Sequence, residues 1–196
     1  MSQAIKKDDS AHDLLDVSSA LDIVSKYAAQ GREDRQIPKP VIEALKETGY
    51  FRSFLPKQYG GLELSPQEFF QASIDIASRD MGTAWATGII AVHAYQLSLM
   101  NPKAAQEVYS AGPDTLICSS YNPAGAKVET VDGGFKLSGR WAWSSGSGHC
   151  SWALLGGLIF DQPDNIHYRT FLVPVADYAI EDTWNVMGLQ ATGSND

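Results

Sequence analysis

Cysteine is scarce in this chain: Cys118 and Cys150 are the only two among 196 residues. Their spacing fits neither a disulfide framework nor a metal site. They read as two reduced, buried thiols of a cytoplasmic protein. Histidine is also sparse. His12, His93, His149 and His167 stand apart, without the paired spacing of metal ligands, so no metal is expected. Basic residues are outnumbered 15 to 23, for a formal net charge of −8. Nucleic acid and anionic membranes demand positive surface, so neither is an expected partner. No apolar run reaches membrane-spanning length. The most apolar stretch, Ala84 to Met100, is interrupted by Thr87, His93, Gln96 and Ser98. The polar start, Met1 to Ser10, does not read as a secretion signal. Repeats and low-complexity tracts are missing too. Gly156-Gly157 falls in a strand-like run with no helix behind it, which excludes a dinucleotide-binding turn.

What is present is enough apolar sequence, 44% of residues, for a packed core. The first half has helical periodicity. Asp13 to Gln30 carries an apolar stripe through Leu14, Leu21, Val24 and Ala28, with Gly31 as a stop. Pro38 to Thr48 predicts a second helix ending at Gly49. Ser65-Pro66-Gln67-Glu68 joins a capping box to a proline at the first helical position. Gly82 to Met100 is apolar nearly all round, as in the middle of a bundle. Asn101-Pro102 starts a last short helix ending near Ser110.

The pattern changes at Asp114. Thr115 to Tyr121 is strand-like. Lys127 to Val131 and Phe135 to Trp143 flank Asp132-Gly133-Gly134, a hairpin signal. Trp152 to Phe160 and Tyr168 to Pro174 predict a second hairpin, and Ala179 to Trp184 a further strand. The fold class is therefore α+β, with a helical part over residues 1–113 and a β part over 114–196.

The most informative stretch is Trp141-Ala142-Trp143-Ser144-Ser145-Gly146-Ser147-Gly148-His149. Aromatic residues give way to short hydroxyls and glycines. Such a surface lets backbone approach a flat, polar-edged ligand closely. A Ser/Gly-rich turn closing a hairpin has the same composition. His93 lies eight residues after Trp85, about two helical turns, so both can face one side. It is either a core histidine bonded to a backbone carbonyl or a group that handles a proton near neutral pH. Cys118-Ser119-Ser120-Tyr121-Asn122-Pro123 reads as a strand end offering hydroxyls at a rim, or as an ordinary exit into a turn.

Four segments, in order, resemble the acyl-CoA dehydrogenase superfamily. They are Tyr59-Gly60-Gly61-Leu62-Glu63, then Met81-Gly82-Thr83-Ala84-Trp85-Ala86 with His93, then Trp141 to His149, and lastly Trp184 with Gly193-Ser194-Asn195-Asp196. The resemblance is closest to the branch of oxygenase components of two-component flavin-dependent monooxygenases, such as the 4-hydroxyphenylacetate and 3-hydroxy-9,10-secosteroid hydroxylases. It implies an N-terminal helical domain followed by an incomplete antiparallel β-barrel, without the family's C-terminal helical domain. It implies hydroxylation of a phenolic substrate through a C4a-hydroperoxyflavin formed from reduced flavin, FMNH2 or FADH2, and O2. A separate NAD(P)H:flavin reductase and a homo-oligomer, a tetramer in the family, follow as partners. His93 would position or deprotonate the phenol, with Trp85 walling the pocket and Ser119 contacting substrate. Ser119, Ser120, Trp143, Ser144 and Ser145 would border the flavin, Ser145 near ring nitrogen N5. Two other functions stay open: an FAD-dependent acyl-CoA dehydrogenase, and a truncated, non-catalytic subunit. Asn122-Pro123-Ala124-Gly125-Ala126 departs from the dehydrogenase pattern of glutamate-proline-glycine, which weakens the first.

Overall fold

A computed structural model describes residues 15–162 and 165–196. Its first half holds helices α1 (Ser18–Glu33), α2 (Lys39–Glu47), α3 (Pro66–Ala77), α4 (Met81–Ser98) and α5 (Pro102–Val108). The expected first residues of α1, Asp13 and Leu14, and His12 lie outside the described residues. Gly31 does not stop α1, which continues to Glu33. A Cβ on Gly31 would stand 3.1 Å from Pro38 Cδ and 3.4 Å from Ala191 Cβ, so its smallness serves close packing. Gly49 behaves as expected, at φ 79° just past α2.

The capping box of α3 forms in full. Glu68 N donates to Ser65 Oγ at 3.4 Å, and Ser65 N donates to Glu68 Oε2 at 2.8 Å. Asp80 caps α4 by accepting from Thr83 N at 2.7 Å, and it also pairs with Arg32 of α1 at 3.1 Å. One carboxylate thus fixes both the start and the direction of α4. Ala86, Thr87, Ile90, Ala91 and Leu97 of α4 are buried, but Trp85, Val92 and Tyr95 are exposed. The all-round apolar character of this helix therefore does not place it inside a bundle here; one apolar face points outward.

The run of helices closes at Ala111, Gly112 has φ 130°, and the first strand begins at Ile117; only short 3-10 turns follow among the described residues. The strands are β1 (Ile117–Ser120), β2 (Ala126–Val131), β3 (Gly134–Gly139), β4 (Trp152–Gln162) and β5 (Asn165–Pro174). They form two open sheets, β1-β4-β5 and β2-β3. Both expected hairpins are present as antiparallel pairs. Gly133 at φ 80° makes the turn between β2 and β3. Three details differ from the sequence reading. β1 pairs with β4 in parallel, Cys118 opposite Ala153, so this half is not wholly antiparallel. β3 ends at Gly139 and leaves Trp141 to Trp143 outside the ladder. Ala179 to Trp184 forms no strand. Glu181 and Asp196 exchange one pair of backbone bonds, 2.8 and 3.3 Å, and positive φ at Leu189 and Gly193 curls the partner segment away from any longer ladder.

The helices and the sheet share one core. Val24, Leu45, Tyr50, Phe69, Ile76 and Ile90 cluster with Cys118, Cys150, Ala153 and Leu155. The seam between α4 and β1 is therefore apolar behind and open in front, where the functional candidates gather.

Candidate functional site

Along the open side of that seam runs a cleft of about 440 Å³. Trp85, Ile89, Val92, His93 and Gln96 of α4 form one wall. Their spacing keeps them on one stripe of the helix. Ser119, Ser120, Tyr121 and Asn122, where β1 ends, form a second wall. Ala142, Trp143 and Ser145 of the glycine-rich loop close it. Six of the seven residues singled out from sequence thus meet in one place: Trp85, His93, Ser119, Ser120, Trp143 and Ser145. Ser144 does not join them. Its side chain lines a second cavity of about 330 Å³ with Cys118, Ser147 and Tyr178, and its hydroxyl has no partner. The loop is not a hairpin turn either, because β3 and β4 are not neighbours.

The loop is held from the C-terminal side. Ser144 N donates to Asn195 O at 2.8 Å, and Gly146 N to Thr192 O at 2.8 Å. Asn195 Oδ1 in turn accepts from Thr183 N and Trp184 N, at 3.1 and 3.0 Å. Trp143 carries φ 64°, which a residue with a Cβ seldom adopts, and its N–H reaches Asp196 Oδ1 at 3.3 Å. Such backbone costs on the order of 1–3 kcal/mol and collects at functional sites. It turns the Trp143 ring to the cleft mouth, 71% exposed. Gly146 has φ 70°, a conformation that favours glycine, and a Cβ there would come within 2.6 Å of Ile90 Cδ1, so glycine lets the loop lie close to α4 without moving the Ile90 side chain.

His93 is buried, and its Nδ1 lies 2.7 Å from the Ile117 carbonyl oxygen. A carbonyl only accepts, so Nδ1 carries the hydrogen and Nε2 keeps its lone pair. Burial holds the ring below the usual histidine range, against a smaller opposing pull from the Ile117 carbonyl. The side chain is therefore both a core histidine bonded to a carbonyl and a neutral acceptor at the cleft. Ser145 Oγ lies 2.9 Å from Ser194 Oγ, which lies 2.7 Å from Thr192 Oγ1. Ser120 Oγ is committed to the Ala142 carbonyl at 2.7 Å, so it ties β1 to the loop. Tyr121 donates its hydroxyl to Gln96 Oε1 and meets the His93 ring edge-on, with centroids 6.2 Å apart. Tyr121 and Gln96 were missed as site residues. Gln96 was legible as the next turn of the Trp85–His93 stripe.

Cys118 lines the second cavity, and Cys150 is buried behind it in the same core cluster. Burial pushes the Cys150 thiol up, and its hydrogen bond to Cys118 pulls that thiol down to about 7. His149 sits outside both cavities, in a broad cleft beside α1 and α2, near Gln36 at 3.4 Å, and burial lowers it too.

These two histidines set an acid limit. The unfolded chain takes up each proton near the ordinary histidine value of 6.5, while the folded chain resists it. Below that pH the unfolded state binds more protons, and folding free energy is lost. Above it both states are neutral at these positions and the contribution is flat. The contribution of these two histidines should lower melting temperature on acidification through pH 6.5 and be flat above about pH 7.5. A melting temperature that rises over that acid range would contradict the buried neutral assignment.

Among the described residues no group of three or more His, Cys, Asp or Glu is placed to hold a metal ion, and no helix is long and apolar enough to cross a membrane. Residues 19–109 match the family described as acyl-CoA dehydrogenase, N-terminal domain. The chain is 45% identical over 168 residues to the oxygenase subunit HsaA of a flavin-dependent monooxygenase from Rhodococcus jostii strain RHA1, covering 85% of this chain and 44% of the relative. It is 35% identical over 178 residues to the oxygenase component of p-hydroxyphenylacetate 3-hydroxylase from Acinetobacter baumannii, covering 91% and 42%. Among solved structures, 3-HSA hydroxylase from Rhodococcus sp. RHA1 superposes with a TM-score of 0.89 at 39% identity, over 94% of this chain and 48% of that one. The chain thus spans less than half the length of these relatives.

Proposed function

Because the chain belongs to the acyl-CoA dehydrogenase superfamily, we propose that its cleft is part of the flavin and substrate site of a monooxygenase oxygenase component acting on a phenol. The observation that carries this is the convergence of His93, Trp85, Ser119, Trp143 and Ser145 on one opening. Flavin fits the residues present. The walls are aromatic and aliphatic, and the Ser119 and Ser145 side chains line them. Gly146 removes the Cβ that would otherwise part the loop from α4. Trp85 and Trp143 offer flat faces for a ring system. Ser120 contributes by fixing the rim. The reading of Ser144 as a flavin contact is not carried forward, since its side chain lines the other cavity and its N–H is spent on Asn195.

When bound, reduced flavin supplies the electrons that activate O2 for transfer to an electron-rich ring. This chain's own part is positioning and proton control. His93 Nε2 accepts a hydrogen bond from the phenol hydroxyl and raises the electron density of the ring. Ser145 holds the N5 edge. Ile89 and Val92 give the cleft an apolar wall against which a bound ring would displace water. The oxygenase-component relatives support a separate NAD(P)H:flavin reductase as partner; a homo-oligomeric assembly belongs to the reading only through the resemblance. Either FMN or FAD satisfies the contacts named here.

The reading is tested by supplying the whole protein with chemically reduced FMN or FAD, isotopically labelled dioxygen and a simple phenol. A catechol carrying the label is expected. Stoichiometric flavin binding without labelled product would overturn it, and anaerobic bleaching of bound oxidised flavin by an acyl-CoA would replace it with dehydrogenation. Ser145→Ala should raise the share of reducing equivalents recovered as hydrogen peroxide by roughly tenfold, since a hydrogen bond to a polarised group is worth about 1.5–3 kcal/mol. An unchanged peroxide yield would remove Ser145 from the site.

A further inference from the structure

The cleft has two ends along α4. The loop that bears Ser145 seats against the first half of the helix: a Cβ on Gly146 would stand 2.6 Å from Ile90 Cδ1 and 3.8 Å from Ala86 Cβ. His93 lies further along, and Gln96 follows it by three residues, about 4.5 Å along the helix axis. Gln96 therefore lines the other end of the cleft, with Tyr121 and Asn122 at the exit from β1. Hydrogen-bonding capacity at that end is one-sided. The Tyr121 hydroxyl donates to Gln96 Oε1. Burial pushes that phenol up, so it keeps its hydrogen. Asn122 Oδ1 accepts from Ala124 N at 3.0 Å. With both amide oxygens engaged, the groups that Gln96 and Asn122 have left to offer are N–H donors. Among the described residues no protein group accepts from Gln96 Nε2 or Asn122 Nδ2.

We propose that Gln96 and Asn122 determine substrate specificity: their amide N–H groups receive a second oxygen of the phenol, a carbonyl or carboxylate oxygen set about one helical turn from the hydroxyl that meets His93. This rests on the monooxygenase reading above. The two ends of such a substrate differ in kind, and so do the groups that meet them. His93 Nε2 accepts from the hydroxyl, and the amides donate to the oxygen. Tyr121 is a positioning residue, since its hydroxyl holds the Gln96 amide with its oxygen turned away and its N–H free. A substituent ending in a donor, such as an amine, finds no acceptor in either amide.

The test compares two phenols of equal heavy-atom count on the whole protein supplied with reduced flavin. 3-Hydroxyacetophenone carries the acceptor oxygen, and 3-isopropylphenol has a methyl group in its place. The quantity read is the ratio of their kcat/KM values. Gln96→Glu keeps the size of the side chain and an oxygen for the Tyr121 hydroxyl, but exchanges the donor for an acceptor. It should lower the ratio about tenfold relative to the parent, the loss falling on KM for the ketone. Asn122→Asp keeps the bond from Ala124 N and should lower the ratio in the same direction by about threefold, as its side chain is exposed. A merely structural role for Gln96 predicts that Gln96→Glu leaves the ratio where it was, because the Tyr121 bond survives. An unchanged ratio in Gln96→Glu, or a parent that hydroxylates 3-isopropylphenol and not the ketone, would overturn the inference while the monooxygenase reading stands. A parent that hydroxylates neither phenol would overturn that reading, and the inference with it.

Discussion

Replacing His93 by alanine in the whole protein should lower turnover of a phenol by on the order of 10²–10⁴-fold, the usual contribution of a positioned acid–base group. The hydrogen on Nδ1 is committed to the Ile117 carbonyl, so Nε2 is the atom left to act. Burial keeps the ring neutral, and therefore an acceptor, at physiological pH. The same substitution also costs stability, since it leaves a hole in a packed wall and a carbonyl without its donor. The two effects separate by measuring turnover per correctly folded, flavin-loaded molecule, with loading counted from absorbance. If that specific rate is unchanged while melting temperature falls, His93 is a structural histidine and the proposed chemistry loses its base. His93→Asn keeps an N–H donor at the Nδ1 position for Ile117 and should recover stability without recovering the rate.

Gly156→Ala is expected to be the most damaging small change to the fold near the site. Gly156 lies in β4 opposite Thr170, and its added Cβ would stand 2.1 Å from the Tyr121 carbonyl oxygen and 2.6 Å from the Tyr168 hydroxyl. The Tyr168 hydroxyl donates to that same carbonyl at 3.0 Å, and Trp141 Nε1 donates to the Gly156 carbonyl at 2.8 Å. Backbone, not a pliable side-chain end, must therefore move. Overpacking of this kind costs about 3 kcal/mol at the upper end of its usual range. For a chain of this size that is a fall of roughly 6–12 °C in melting temperature. Tyr121 also walls the cleft, so flavin affinity should fall with stability. A variant that melts within about 2 °C of the parent would show that the Tyr121 exit from β1 is loosely held.

Much of this was legible because local chemistry decided it. Ser65-Pro66-Gln67-Glu68 carries its own capping geometry, Gly49 and Gly133 carry their own turns, the first hairpin follows from alternation around Asp132-Gly133-Gly134, and the second from two strand-like runs on either side of a polar loop. The candidate site was legible as motifs in order. Trp85 and His93 share a helical stripe, and that stripe continues to Gln96. What failed had non-local causes. The parallel pairing of β1 with β4 joins residues more than 30 positions apart and leaves no mark on either strand. Gly31 looked like a terminator because glycine commonly ends helices, but here it is needed where Pro38 and Ala191 press on α1. Ser144 and Ser145 are adjacent hydroxyls of equal character. Which of them faces the cleft is settled by the left-handed turns at Trp143 and Gly146, and sequence does not show a tryptophan adopting one. Ala179 to Trp184 reads as a further short strand, yet the segment it would pair with curls at Leu189 and Gly193.

The central claim is that the opening between α4, the end of β1 and the Trp141 to His149 loop holds flavin. A crystal structure of the whole protein with bound flavin tests it most directly. The ring system should lie against Trp143 and the α4 stripe, with N5 within hydrogen-bonding distance of Ser145 Oγ. Flavin seated elsewhere, such as in the cavity beside Cys118 and Ser144, with Ser145 Oγ out of reach of N5, would contradict it.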